Sequence, residues 1–190
     1  MVKANSPVGA SELREAPNVS IVAAVQERRV TEQLITDWER ETRRLRDVVA
    51  LMTLDLSTMT GLKWAHRFIM AISRPVVENS SLLFYGPRLA ALLELPNTPE
   101  HSVPMLAQLP ARFVPVFTKG CISSALSSVP VRMHGTIDRD DGRQELYWAV
   151  FIRLSLDGNH HRHFALGAFN CRAPDRRERK LVDGAVPCAL

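Results

Sequence analysis

Apolar and polar positions follow the clearest pattern in the last third of the chain, between Val129 and Arg172. Two turn signals, Asp140-Asp141-Gly142 and Asp157-Gly158-Asn159, interrupt the apolar residues there. Glycine adopts the positive φ that a tight reverse turn requires, so Asp-Gly between β-branched and aromatic runs indicates a hairpin. The pattern predicts a three-stranded antiparallel meander, with strands at Val131–Ile137, Glu145–Leu156 and His163–Arg172.

The central strand of this meander is apolar on both faces, whereas a sheet with one solvated face alternates apolar and polar residues. One face carries Leu146, Trp148, Val150, Ile152, Leu154 and Leu156; the other carries Tyr147, Ala149 and Phe151 before Arg153 and Ser155. The last strand repeats the pattern. We therefore expect both faces to be covered by earlier parts of the chain, with Leu146, Trp148, Val150, Phe164 and Leu166 buried.

The N-terminal part predicts a disordered segment at residues 1–18 and an amphipathic helix at residues 19–52. Apolar residues of the helix recur at alternating spacings of three and four, as in one seam of a coiled coil. The seam is strongest from Ile35 and continues through Trp38, Leu45 and Val49. It can pack either on its own domain or on a partner helix.

A domain at residues 62–172 follows, and residues 173–190 form a polar tail. Its first half predicts strands at His66–Arg74 and Ser81–Tyr85, and a short helix at Arg88–Leu95 after Gly86-Pro87. A longer helix is predicted within Leu109–Ser128. Pro115 would remove a hydrogen bond inside it, so the helix begins or kinks there.

Composition and charge limit the cellular compartments and the binding partners that are compatible with the sequence. No apolar run approaches the roughly 20 residues that span a bilayer, and the N-terminus lacks the apolar core of a secretory signal. Three widely spaced cysteines without a Cys-x-x-Cys pair suggest a reducing cytoplasm. The net charge is +4, but basic residues are interleaved with acidic ones, which argues against a nucleic-acid interface.

The order of elements, strand, strand, helices and meander, resembles the PAS fold: an α+β domain with a five-stranded antiparallel sheet, helices on one face, and here a long N-terminal helix. FYGPRLAALLELP resembles the end of the second PAS strand running into the first helix. VPVRMHGTIDRDDGRQELYWAVFIRLSLDG and FALGAFNCR resemble the last three strands of a PAS subgroup common as small stand-alone proteins in alphaproteobacteria. ITDWERE resembles its leading helix. The resemblance covers about residues 34–172.

The resemblance implies a small ligand pocket between the helices and the sheet, and an interface on the opposite sheet face. The pocket candidates are Phe113, Phe117, Cys121 and Trp148. The candidates for a homodimer interface are Ile35, Trp38, Leu45, Val49, Tyr147 and Phe151. The implied role is a cytoplasmic sensory or regulatory module without an output domain of its own, which binds a small apolar ligand or a regulatory protein.

No cofactor or metal site follows from the residues. Asn170-Cys171-Arg172 resembles the reactive triplet of LOV photoreceptors, but it ends the last strand, and no cysteine follows the second strand. No histidine lies between Leu109 and Ser128, where haem-binding PAS domains place their axial ligand. His160 and His161 are adjacent in a strand and point to opposite faces, which disfavours shared metal ligation.

No catalytic residues are assigned. The chain has no Gly-x-Ser-x-Gly, phosphate-binding loop or His-Glu-x-x-His motif, and Cys121 with His134 would be a pairing by residue type alone. Two other classes stay open: a small α+β enzyme or ligand carrier with a cone-like sheet, and a purely structural dimerisation domain with a filled core.

We predict that the purified protein is colourless and holds no stoichiometric metal. The reason is the placement of histidines and cysteines away from the positions that haem and flavin chemistry would use. Absorption spectroscopy and elemental analysis measure this directly. A Soret band, a flavin spectrum or one zinc per chain would each contradict the prediction.

Overall fold

Five strands form one antiparallel sheet in the computed structural model. The structure describes residues 29–40, 43, 64–156 and 159–174, and for residues 155–156 and 159–162 it describes the backbone without the side chains. The strands are β1 Arg67–Ile72, β2 Ser81–Tyr85, β3 Val131–Asp138, β4 Gln144–Leu156 and β5 Asn159–Arg172. Their spatial order is β2-β1-β5-β4-β3. The last strand therefore lies in the middle of the sheet, between the first strand and the meander.

The predicted meander is confirmed, since β4 pairs antiparallel with both β3 and β5. The predicted glycine, Gly142, lies in the β3–β4 turn and has the expected positive φ, 75°. The Gly142 N–H donates to the carbonyl oxygen of Arg139 at 2.9 Å, and the Asp141 carboxylate accepts from the Arg143 N–H at 3.0 Å. Of the second turn signal, residues 157–158 lie outside the described residues, and Asn159 is the first residue of β5.

Helical segments lie on both sides of the sheet. Residues 29–40 are helical and are called α1 here; α2 is Pro87–Leu92, α3 is Met105–Gln108 and α4 is Val114–Leu126, and a 3-10 turn spans Val77–Asn79. None of the described helices is long and apolar enough to cross a membrane. The predictions for residues 1–18, for the rest of helix 19–52 and for nearly all of residues 173–190 lie outside the described residues.

Helix boundaries follow the prolines only in part. Pro115 lies in the first turn of α4, as predicted, because the N–H groups of that turn have no intrahelical acceptor. The predicted helix Arg88–Leu95 was too long: it ends at Leu92, and Glu94 adopts a φ of 56°. Sequence reading missed α3, which has four residues and begins directly after Pro104.

Each sheet face is covered by its own apolar cluster, as expected. The cluster on the α4 side contains Phe68, Phe117, Phe151 and Phe169, and the cluster on the α1 side contains Leu34, Ile35, Val150, Ile152 and Leu166. Val150, Phe164 and Leu166 are buried, but Leu146 and Trp148 are only half-buried. The prediction of full burial was wrong for these two, because neither belongs to the cluster that α1 covers.

We expect the two sides of the meander to differ in their contribution to stability. Phe169→Ala should lower the free energy of unfolding by about 3–5 kcal/mol, because it empties a fully buried site. Trp148→Ala should cost less, about 1–2 kcal/mol, because its side chain is partly in water already. Urea unfolding measures both, and equal costs would contradict the prediction.

Candidate functional site

Five phenylalanines fill the space between α4 and the sheet, where the ligand pocket was expected. Each is fully buried: Phe68, Phe113, Phe117, Phe151 and Phe169. The Phe117 ring centroid lies 5.1 Å from that of Phe68, 5.7 Å from Phe151 and 5.3 Å from Phe169. These distances are typical of aromatic rings in direct packing contact. The expected pocket position is therefore occupied by the protein's own side chains.

Two glycines allow these rings to approach. Gly167 pairs with Phe68 on one neighbouring strand and with Phe151 on the other, and the two rings lie 5.3 Å apart, centroid to centroid. A Cβ on Gly167 would lie 2.1 Å from Phe68 Cζ, and one on Gly120 of α4 would lie 2.2 Å from Phe151 Cε2. Both distances are shorter than any normal carbon contact, so only glycine fits at these positions.

Cys121 lies in the same cluster and is fully buried. Its Sγ is 3.8 Å from the thioether sulfur of Met70. Burial raises the pKa of the Cys121 thiol to about 12, so the thiol stays protonated at neutral pH and is a poor nucleophile. His134 lies on edge strand β3 and lines a groove beside α1, on the opposite sheet face. The structure does not bring the two residues together.

The sequence assigned three candidate residues to the wrong sheet face. Trp148, a pocket candidate, lies on the α1 side in the groove with His134. Tyr147 and Phe151, the interface candidates, lie on the α4 side: Phe151 packs on Phe117, and the Tyr147 ring stacks on Phe169 at 6.2 Å. Alternation shows which residues share a face but not which layer covers that face. Phe113, Phe117 and Cys121 do lie together, as expected.

The described part of the N-terminal seam covers the sheet of its own domain. Leu34 and Ile35 are 1% and 3% exposed, and Trp38 packs at the edge of the same cluster. The interface candidates Ile35 and Trp38 therefore contact strands of the same chain. This supports the first of the two alternatives for the seam. Leu45 and Val49 lie outside the described residues.

A nearly buried ion pair joins α1 to the sheet. Arg67 Nη2 lies 2.7 Å from Asp37 Oδ2, and the two side chains are 6% and 20% exposed. The guanidinium also lies over the indole ring of Trp64, 5.3 Å from its centroid. Sequence reading missed this contact. The available signal was an arginine within the otherwise apolar strand RFIMAI, because a buried charge requires a partner.

Within the described part of the chain, no three His, Cys, Asp or Glu side chains are grouped so that they could hold a metal ion. The side chains of His160 and His161 lie outside that part. What the described residues do assemble is a filled aromatic core on one sheet face and a helix tied by charge to the other.

No protein-family model matches the sequence, and no curated protein matches it. Among solved structures, the chain is similar to the PAS domain of an HTR-like protein from Haloarcula marismortui, with a TM-score of 0.36, 14% identity, and coverage of 70% of this chain and 99% of that one. It is also similar to a fungal LOV domain photoreceptor, with a TM-score of 0.36, 12% identity, and coverage of 72% and 90%.

The fold is PAS-like α+β, as the sequence predicted. A five-stranded antiparallel sheet carries α2, α3 and α4 between its second and third strands, and the longest of these packs on one sheet face.

We expect Gly120→Ala to destabilise the protein by roughly 1–3 kcal/mol, although alanine is the better helix former, because the added methyl group meets the fully buried Phe151 ring. In a Phe151→Leu background the same change should cost much less or become stabilising. A double-mutant cycle by thermal unfolding measures this coupling. Additive effects would show that the space beside Gly120 is not filled.

Proposed function

We propose that the chain is a cytoplasmic regulatory module of the PAS sensory class, of the alphaproteobacterial-type subgroup, which acts through protein interaction. In this proposal the moving part is α1, and the signal is its release from the sheet. The observation that carries the proposal is the ion pair between Arg67 and Asp37. Buried ion pairs add little net stability, but they are costly to break on one side only, because the other charge is left buried without compensation.

Release of α1 would change the surface of the molecule considerably. Leu34 and Ile35 would enter water together with the sheet residues that they cover, among them Val150, Ile152 and Leu166. A large contiguous apolar surface is typical of a protein-interaction site. Docked and released forms would therefore differ strongly in affinity for a partner, which is the requirement for a switch.

The filled core favours this role over that of an enzyme or a ligand carrier. A small apolar ligand between α4 and the sheet would have to displace at least one of the five phenylalanine rings, all of which are fully buried. A purely structural dimerisation domain is the remaining candidate, and it differs in requiring α1 to stay docked.

The test compares Asp37→Asn with Glu39→Gln, an exposed position on the same helix whose carboxylate pairs with Arg43. Asp37→Asn leaves the Arg67 charge without its partner and should weaken α1 docking by about 1–3 kcal/mol. Faster hydrogen exchange of the α1 amides measures the release. Glu39→Gln should leave this exchange unchanged.

The functional readout is proximity labelling in the native host with the wild type and both variants. The proposal expects a set of labelled proteins that changes with Asp37→Asn and not with Glu39→Gln. If hydrogen exchange shows that α1 is released while the labelled set stays the same, α1 is not the regulatory element and the structural role is preferred.

A further inference from the structure

The exposed apolar residues of the described chain are concentrated on one side of the molecule. The large ones are Val76, Leu106, Ile122, Leu126 and Val129. Two of them lie on α4 and one follows it closely, while Val76 precedes the 3-10 turn that packs beside α4. None lies on α1 or on the sheet face beneath it. An interface between molecules is therefore indicated on the α4 side, not on the side that the sequence suggested.

The outer face of α4 has the spacing of a helix-packing stripe. Pro115, Lys119, Ile122 and Leu126 follow one another at intervals of four, three and four residues, and all are exposed. Residues at these intervals lie along one side of a helix. The opposite side of α4 holds Phe117 and Cys121 in the core, so the stripe points away from the domain.

A shallow groove runs beside this stripe, with a volume of about 470 Å³ and a mostly apolar lining. Its lining includes one acidic residue, Glu78, and one basic residue, Lys119. Within the described residues neither forms an ion pair, with each other or with any neighbour. The Oγ1 atom of Thr118, which also lines the groove, is buried and has no hydrogen-bond partner there.

We propose that this groove and stripe bind a second copy of the same chain, with the two α4 helices antiparallel about a two-fold axis between Lys119 and Ile122. A two-fold interface must be self-complementary. This arrangement places Pro115 of each copy opposite Leu126 of the other. It also brings Lys119 towards the groove of the second copy, which Glu78 lines, so that the unpaired charges meet with opposite sign.

The inference is independent of the proposed role of α1, since the stripe and α1 lie on opposite sides of the sheet. It relocates the homodimer interface that the sequence suggested. Of those candidates, Ile35, Tyr147 and Phe151 serve the fold of a single chain. Ile122 and Leu126 of the stripe, by contrast, belong to neither apolar cluster.

Sedimentation equilibrium on the full chain tests the interface. The wild type should dimerise, and Leu126→Asp should weaken dimerisation at least tenfold with an unchanged melting temperature of the monomer, because Leu126 is 77% exposed. Ala91→Asp is the matched control, since Ala91 is an exposed apolar residue on α2, away from the stripe. A wild type that stays monomeric at ~100 µM would overturn the proposal. This holds even if another protein or a small apolar molecule is then found to bind the groove.

Charge reversal tests the register of the two copies. Lys119→Glu and Glu78→Lys should each weaken the dimer by roughly tenfold, because each opposes like charges twice across the two-fold axis. The double reversal should restore wild-type affinity. A dimer that is insensitive to Leu126→Asp, or whose single reversals are not rescued by the double reversal, would place the interface elsewhere.

Discussion

The packing of phenylalanine rings over glycine is the constraint on which the rest of the structure depends. Phe68 and Phe151 stand on the strands that flank β5 and meet above Gly167, where any side chain would exclude them. Phe117 of α4 lies on both rings, and Gly120 lets the helix approach closely enough to place it there. The position of α4 on the sheet thus depends on the absence of a side chain at Gly120 and Gly167.

This packing decides what each surface of the domain can do. Because the rings fill the space between α4 and the sheet, binding of a small molecule there would require the core to rearrange, and native cores resist such changes. Contacts that can change are therefore confined to the periphery of the domain, outside this core. On one face that periphery is α1, which a nearly buried ion pair holds to the sheet. On the other it is the outer stripe of α4, whose apolar residues lie outside the core cluster.

The two surfaces also differ physically. The contact of α1 is mostly apolar but is anchored by Arg67, whose guanidinium lies in an almost dry position between Asp37 and the Trp64 ring. Separation therefore exposes apolar area and leaves the Arg67 charge without its partner at the same time. On the α4 side, Lys119 of the stripe and Glu78 of the groove have no ion-pair partner among the described residues, so association there would add ion pairs without breaking any.

The sequence by itself determined the elements that depend on local rules. Alternation and the Asp141-Gly142 turn located β3 and β4 of the meander, Pro115 marked the start of α4, and apolar residues on both faces of β4 required two covering layers. Only the tertiary structure decided which layer covers which face. Trp148 and Phe151 differ by an odd number of positions, so alternation separates them but cannot say which one meets α4. Ring packing over Gly120 and Gly167 makes Phe151 the residue that contacts α4. The Arg67–Asp37 pair joins residues 30 positions apart, and no local sequence pattern links residues at that separation.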